Sequence, residues 1–507
     1  MITYLRQTRY LCTKPFFETD ALIYSCKARD KVPLNLPSNA ITSFYTCGPT
    51  VYDSAHIGHA SCYVRLDIIQ RILRNHFRLN LVTAMNITDI DDKIIKRAEL
   101  QGKAWHNISK HFELEFWGDL QRLNVKLPDI KLRVTDHIPS IVSFIEKLVI
   151  SSFAYSSIDG SIYFDSCKYP QYGKLQNVPT EAAPGEGKKN AADFALWKAA
   201  KPGEPSWDSP FGKGRPGWHI ECSTLASHIF GERLDFHAGG MDLRFPHHEN
   251  EEAQSCCYHR VDDWVSYWIH TGQLHVEGQQ HKMSKSLKNT ISVSDLLQRF
   301  STDEFRMLCL LSHYRNSIDF GNETMTVATS VLKKFHSFLD DTKAYVTGVR
   351  PACDVDASSL HCKLDEAVVK IDGFLKNDFN TAGVITTLGE LSSEVHKSIN
   401  QKQTKLTVAS ESGSIQAVSN YIRQQLLMFG LVSMDDDHRS DSNESNGSTE
   451  RIIESVVQIR NSIRSQAMSN KDPRMFAICD QIRDQLKEMN VEIKDHGKIS
   501  SWSFTKR

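Results

Sequence analysis

The sequence has little net charge, no long apolar run and no regular cysteine pattern, and each absence excludes something. Lysine plus arginine (60) and aspartate plus glutamate (61) nearly cancel, leaving a formal charge of −1. A chain that grips nucleic acid through a general basic field carries a clear positive excess, so an RNA partner has to be read from local motifs. No apolar stretch reaches the about eighteen residues that a membrane-spanning helix needs, and no membrane association is expected. The 12 cysteines are scattered, with no CxxC pair. That excludes a zinc ribbon and a disulfide-stapled secreted fold, and it fits a reducing compartment. Internal repeats are also missing, which excludes a solenoid.

Acid is absent from the opening stretch, MITYLRQTRYLCTKPFF, which carries Arg6, Arg9 and Lys14 before the first carboxylate, Glu18. It lacks the unbroken apolar core of a secretory signal. Basic, hydroxyl and aromatic residues without acids are the composition of an organelle transit peptide. Residues 1–20 are therefore expected to be a leader, with the mature chain beginning before Ala21.

What is present has a clear order. The 507 residues suffice for about three domains. AITSFYTCGPTV reads as a buried strand from Ile41 to Thr46 stopped by Gly48-Pro49, HASCYVRLDIIQRILRNHF has helical spacing, and LNLVTAMNITD reads as a second strand. Strand, turn, helix, strand is a βαβ unit and implies a parallel sheet, whose ligands sit at the carboxyl ends of the strands. Turn-forming stretches such as PTEAAPGEGKKNAAD mark an insertion at about residues 120–207 of this sheet domain, which is expected to span 21–292. From Val293 helical periodicity dominates. A linking helical region (293–330), a helical domain (331–432), a disordered acidic linker (433–450) and a last helical unit with a loose tail (451–507) are expected in that order.

Three motifs carry chemistry. FPHHENEEAQS, read as a helix, places His247 and Glu251 on one face one turn apart; such a pair can bind a metal with partners from elsewhere, and it equally fits a solvated, charged helix start. HIGHA, His56 to Ala60, stands just before the first long helix, where free amides and the dipole make a phosphate seat. There Gly58 permits close approach to the backbone, and His56 and His59 can donate to phosphate oxygens. KMSKS offers Lys282 and Lys285, two cations able to converge on a polyphosphate, although an isolated KxxK is usually a solvated basic loop.

Taken together, HIGHA, KMSKS, FYTCGPTVYDSAHIGHA, NITDIDDKIIKRA, GRPGWHIECS and FPHHENEEAQS resemble the class I aminoacyl-tRNA synthetases, and cysteinyl-tRNA synthetase in particular, from about Ala21 to the end. The resemblance implies a Rossmann-like α/β catalytic domain with a parallel sheet and an inserted connective region, followed by an α-helical anticodon-binding bundle. It implies one zinc ion held by Cys47, Cys222, His247 and Glu251, selecting the substrate thiol by its affinity for thiolate. His56, His59, Lys282 and Lys285 become catalytic residues. Gly58, Gly239, Asp242 and Lys285 become ATP contacts, and Thr88 and Trp218 contacts to the amino acid. L-cysteine, ATP with Mg2+ and tRNA(Cys) are the implied substrates, cysteinyl-adenylate the intermediate, and a monomer or homodimer in the mitochondrial matrix the implied form. Family members have been linked to cysteine persulfide synthesis with pyridoxal phosphate on lysines of a KIIKR block, which here is Lys93 to Arg97, and of KMSKS.

Lys288, Ala191 and the DEFR run from Asp303 to Arg306 depart from the family pattern without removing a catalytic group. Two rivals remain: a ligase passing cysteine to an amino sugar, which would lack the long helical half, and a silent RNA-binding descendant, which would have no reason to keep all three motifs.

Overall fold

The computed structural model describes residues 17–38, 40–177, 185, 187–277, 290–350, 353–400, 411–435, 446–496 and 499–504. KMSKS with Lys282 and Lys285, most of the expected leader and most of the acidic linker lie outside the described residues.

The TSFYT segment forms β3 (Thr42–Thr46), buried at every position. After it α1 (Ile57–Asn75) crosses to β4 (Leu81–Ile87), parallel to β3. With β5 (Ile130–Arg133), β10 (Leu234–Gly240) and β11 (Val265–Thr271) they make a five-stranded parallel sheet in the order β11-β10-β3-β4-β5. The chain reverses its march across the sheet between β3 and β10. In such doubly wound sheets the crevice at that reversal, beyond the carboxyl ends, is where ligands bind. Side chains alternate between faces: Phe44 joins the core shared with α1, Tyr45 the opposite core. That second core also takes in α4 (Ile138–Ile150), α5 (Trp218–Phe230) and α6 (Glu249–His259).

The insertion lies later than the turn-rich composition suggested. Residues from 120 to 150 belong to the sheet domain, because α3 (Trp105–Arg122) leads into β5 and β5 pairs with β4. The inserted element is a four-stranded antiparallel sheet, β6 (Ala154–Ser156), β7 (Ile162–Phe164), β8 (Phe194–Ala199) and β9 (Gly214–Pro216). It is pinned to the first turn of α2 (Asp92–Gln101), where Asp92 accepts from Lys198 and from Arg215.

An N-terminal hairpin, β1 (Phe17–Ser25) with β2 (Asp30–Leu36), was not foreseen. Phe17 to Asp20 already belong to it, so the end of the expected leader is folded. In its turn Lys27 pairs with Glu252, fully buried on α6, at 2.8 Å. β12 (Leu274–Val276) pairs in parallel with β13 (Ile318–Phe320), which ties α7 (Val293–Arg299) and α8 (Thr302–Leu310) to the sheet domain.

The helical half comprises α9 (Asn322–Val346), α10 (Ala357–Lys376), α11 (Thr381–Ile399) and α12 (Ser412–Met428). α9 begins before residue 331, so that expected boundary falls inside a helix. One apolar cluster runs without a break from Phe44 of the sheet through Leu308 of α8 to Leu388 and Leu426. The last unit has a separate small core around Val457 and Leu486. Its helices are α13 (Asn446–Asn470) and α14 (Pro473–Glu488), and the expected loose tail is instead an antiparallel hairpin, β14 (Val491–His496) with β15 (Ile499–Phe504). The hairpin is held because Arg460, fully buried, binds Asp495 at 2.6 Å and Ser500 at 2.9 Å. Polar alternation in IKDHGKISSWSF hid that pairing from a hydrophobicity reading.

Candidate metal centre and active site

Three elements converge on one buried point. Cys47 follows β3 at the carboxyl edge, Cys222 lies in the second turn of α5, and His247 and Glu251 flank the start of α6. Cys47 Sγ is 3.6 Å from Cys222 Sγ and 3.4 Å from Glu251 Oε1, and His247 Nε2 is 3.1 Å from that same oxygen. With zinc–sulfur bonds of about 2.3 Å and zinc–nitrogen or zinc–oxygen bonds of about 2.0–2.2 Å, tetrahedral corners stand about 3.4–3.8 Å apart. The two Cys47 separations fall in that range and the His247–Glu251 one just below it, so the four donors could hold one zinc ion. All four are buried, with Glu251 fully so. Burial, then the hydrogen bond with Cys222, holds the Cys47 thiol well above its usual range, and burial pushes Cys222 up to about 11. Burial also holds the His247 imidazole far below its usual range. A divalent cation is what lets such thiols ionise.

A second set, Cys47, His237, His248 and Glu251, overlaps the first. It has one sulfur instead of two, and Cys47 Sγ stands 4.0 Å from His237 Nε2. The first set holds two sulfurs, and His237 stands beside it: His237 Nε2 is 2.9 Å from Glu251 Oε2, while Cys47 Sγ lies against Oε1. His219 Nδ1 meets His247 Nδ1 at 2.9 Å, and His248 Nδ1 meets His270 Nε2 at 2.9 Å. Ligand histidines are normally oriented through their second nitrogen in this way. Sequence reasoning missed His219, His237, His248 and His270. The available signal was their placement, one residue before or after a motif position or alternating on adjacent strands, since His237 pairs with Trp268 and Gly239 with His270.

The chain leaves β3 against β4, and only glycine fits there. A Cβ on Gly48 would stand 1.6 Å from the Asn86 carbonyl oxygen, while Asn86 Oδ1 accepts from Gly48 N at 2.9 Å. Tyr63 of α1 donates to the Cys47 carbonyl at 3.2 Å. Trp218, at 39% exposure, is no core residue; it stacks on His247 with ring centres 4.1 Å apart. Thr88 is buried and donates to Glu221 Oε2 at 2.7 Å, and burial holds that carboxyl well above its usual range. Its hydroxyl is thus engaged with Glu221.

His56 caps α1. Its Nδ1 accepts from Gly58 N at 3.1 Å, and His59 Nδ1 accepts from His56 N at 3.2 Å, with the rings 3.9 Å apart. An Nδ1 that accepts leaves the proton of the neutral ring on Nε2. Directly after the KMSKS segment, Ile291 O accepts from Ile57 N at 2.9 Å and Ser292 bridges His56. Gly239 and Gly240 end β10; added Cβ atoms there would stand 2.9 Å from His248 Cε1 and 2.6 Å from Asp242 Oδ1. The glycine pair thus makes room for His248 and Asp242. Lys93 and Arg97 lie on α2, with Arg97 pairing Asp53 at 3.2 Å.

A family model described as tRNA synthetases class I (C) catalytic domain matches residues 35–330. A Xenopus tropicalis protein named "Probable cysteine--tRNA ligase, mitochondrial" is 37% identical over 97% of this chain and 90% of its own length. The cysteine--tRNA ligase of Pyrococcus abyssi is 39% identical over 96% of this chain and 99% of its own. The cytoplasmic cysteine--tRNA ligase of Dictyostelium discoideum is 36% identical over 96% of this chain and 78% of its own. In fold alone, the chain is similar to Mycobacterium tuberculosis methionyl-tRNA synthetase bound by methionyl-adenylate, with TM-score 0.56 and 14% identity over 76% of this chain and 90% of that one.

Proposed function

The chain belongs to the cysteine–tRNA ligases of class I, and we propose that it activates L-cysteine with ATP and transfers it to the 3′ end of tRNA(Cys), using the residues at the carboxyl edge of its sheet. One observation carries the assignment of residues: the buried Cys47, Cys222, His247 and Glu251 set lies at the carboxyl end of β3, where the strand order reverses, and α1 meets it through the Tyr63 bond to the Cys47 carbonyl.

In the first step the cysteine carboxylate attacks the α-phosphate of ATP and pyrophosphate leaves; in the second a terminal hydroxyl of tRNA attacks the adenylate carbonyl, takes the aminoacyl group and AMP leaves. Zinc in this set would bind the side chain of cysteine as a thiolate, an interaction the hydroxyl of serine matches poorly. The chain's own residues supply position and charge. The N-terminal amides of α1 and the Nε2–H groups of His56 and His59 face developing negative charge on phosphate oxygens. Lys282 and Lys285 neutralise the leaving pyrophosphate together with magnesium carried by ATP, and the return of the chain at Ile291 and Ser292 to His56 supports that role. Trp218 forms a wall over His247, and Asp242 faces the ribose. Thr88 acts through Glu221, holding that carboxyl in place.

The helical half is the part we assign to the tRNA body and anticodon. For compartment, we propose the mitochondrial matrix, supported by the acid-free N-terminal composition and by the mitochondrial name of the Xenopus relative. The test of function is charging of a tRNA(Cys) transcript with labelled cysteine, with labelled serine as control. Cysteine-only charging is expected; no charging of either mitochondrial or cytosolic tRNA(Cys) refutes the proposal.

A further inference from the structure

One guanidinium joins the sheet domain to the helical half. Arg306, in α8, is fully buried. It donates to Asp67 Oδ2 on α1 at 2.7 Å, to the Phe429 carbonyl at the end of α12 at 3.1 Å, and to the Leu123 and Asn124 carbonyls after α3 at 2.9 and 2.8 Å. Those carbonyls are the unsatisfied C-terminal ends of two helices, where the dipole is negative. Asp67 is fully committed as well: its Oδ2 also accepts from Arg71 Nε at 2.7 Å and its Oδ1 from Lys126 N at 2.9 Å.

The exit of α12 is seated on this pair of arginines. Gly430 has φ +83°, and an added Cβ would stand 3.0 Å from Arg71 Cζ and 3.1 Å from Arg306 Nη1. Asn124 Nδ2 donates to the Gly430 carbonyl at 2.7 Å, and Asp303, one turn before Arg306, accepts from Val432 N and Ser433 N at 3.2 and 2.7 Å. α8 therefore holds the end of α12 at two successive places. On the other side, α1 runs as one helix from Asp67 to the His56 cap, about 16 Å away at 1.5 Å per residue.

A buried ion pair is seldom more stabilising than apolar packing of the same volume. What this one adds is direction, because four hydrogen bonds from a planar fork set the angle between α1, α3 and α12. We infer that Asp67 and Arg306 are positioning residues for the tRNA-dependent step: they fix the helical half at one angle to α1, so that a tRNA held by that half brings its 3′ end to the carboxyl edge of the sheet. The inference rests on the reading of the helical half as the tRNA-holding part. Adenylate formation needs only the residues at the sheet edge and does not depend on this angle.

The test compares two activities in each variant: cysteine-dependent ATP–pyrophosphate exchange, and charging of tRNA(Cys). Arg306→Lys keeps the charge and loses the fork, and its charging kcat/KM should fall about 10- to 100-fold, as expected when a reacting group is misplaced by an ångström or so. Exchange should stay within about 2-fold. Asn124→Gly keeps the left-handed conformation of that residue (φ +52°) while removing the bond to Gly430, and should lower charging about 5-fold with exchange unchanged. Should Arg306→Lys be insoluble, Asn124→Gly decides alone. Parallel loss of both activities means a merely structural role and overturns the inference, as does unchanged charging. A wild-type protein that exchanges but charges no tRNA overturns the reading of function, and the inference with it.

Discussion

Deleting one sulfur decides which donor set holds the metal. Cys222→Ala destroys the set Cys47, Cys222, His247, Glu251 and leaves Cys47, His237, His248, Glu251 complete; His248→Gln does the reverse. A four-ligand zinc site in a protein is worth about 10–16 kcal/mol of apparent binding energy, so one ligand accounts for roughly 3 kcal/mol, or about 10²-fold in affinity. Structure makes the loss hard to mend. Cys222 is 1% exposed, its neighbours include the Cys47 sulfur at 3.6 Å and Asn86 Oδ1 at 3.6 Å, and with Cys222 gone the second set offers imidazole nitrogens but no second sulfur. Zinc stoichiometry against a graded series of chelator concentrations measures the affinity, and ATP–pyrophosphate exchange with cysteine and with serine measures the consequence. Cys222→Ala should release zinc at about 10²-fold lower chelator and lose cysteine-dependent exchange, while His248→Gln keeps wild-type zinc affinity. Full zinc in Cys222→Ala with loss in His248→Gln would show the metal to sit in the histidine-rich set and refute the placement.

Other outcomes are as definite. Thr88→Val leaves the buried Glu221 carboxyl without its 2.7 Å donor and should lower stability by about 1–3 kcal/mol; an unchanged urea midpoint speaks against the pairing. Lys285→Ala should keep zinc at wild-type stoichiometry while exchange slows about 10²- to 10³-fold, and concurrent loss of zinc would place that lysine in the metal site. Burial alone would raise the Asp495 carboxyl, but hydrogen bonds from Arg460 and Ser500 prevail and pull it down to about 2. Because the folded value lies below the ordinary one of about 4, the ionised group stabilises the C-terminal unit above that pH and stops doing so as pH falls toward about 2. Hydrogen exchange of β14 and β15 should therefore be faster in Asp495→Asn than in wild type at pH 5, with the difference shrinking at lower pH; a pH-independent difference contradicts the assignment.

The sheet and the candidate ligands were legible in the sequence for different reasons. β3 and β4 announced themselves as apolar runs around an amphipathic helix, so period and turn residues sufficed. The ligand set came from resemblance, because nothing in the spacing of Cys47, Cys222 and the PHHENE run says that they meet. The second tier of histidines was illegible: His237 and His270 look like ordinary strand residues until the register of β10 on β11 is known. Insertion limits failed since turn-rich composition marks loops rather than strand pairing, and β5, only four residues long, has too little pattern to read. The N-terminal hairpin escaped because its strands, in which buried Ala21, Ile23, Leu34 and Leu36 alternate with exposed residues, lie beside a stretch read as a leader. Arg306 was visible only as the last residue of DEFR, whose departures from the family pattern are Glu304 and Phe305; that its fork ends on three carbonyls is a property of tertiary packing.

The donors of the candidate metal centre are also separated in time. Cys47 and Cys222 are 175 residues apart, Cys47 and Glu251 204, with the whole antiparallel insert between the first thiol and the last carboxylate. At about 5–20 residues per second of synthesis, some 10–40 s pass between the emergence of Cys47 and that of Glu251. Through that interval no fragment of the nascent chain contains a complete set, and closing so long a loop adds little entropy cost beyond a shorter one. Metal uptake by this set would then be a late event that records synthesis into α6, and a chain that stops before α6 has Cys47, Cys222 and His247 but lacks the Glu251 carboxylate that closes the tetrahedron.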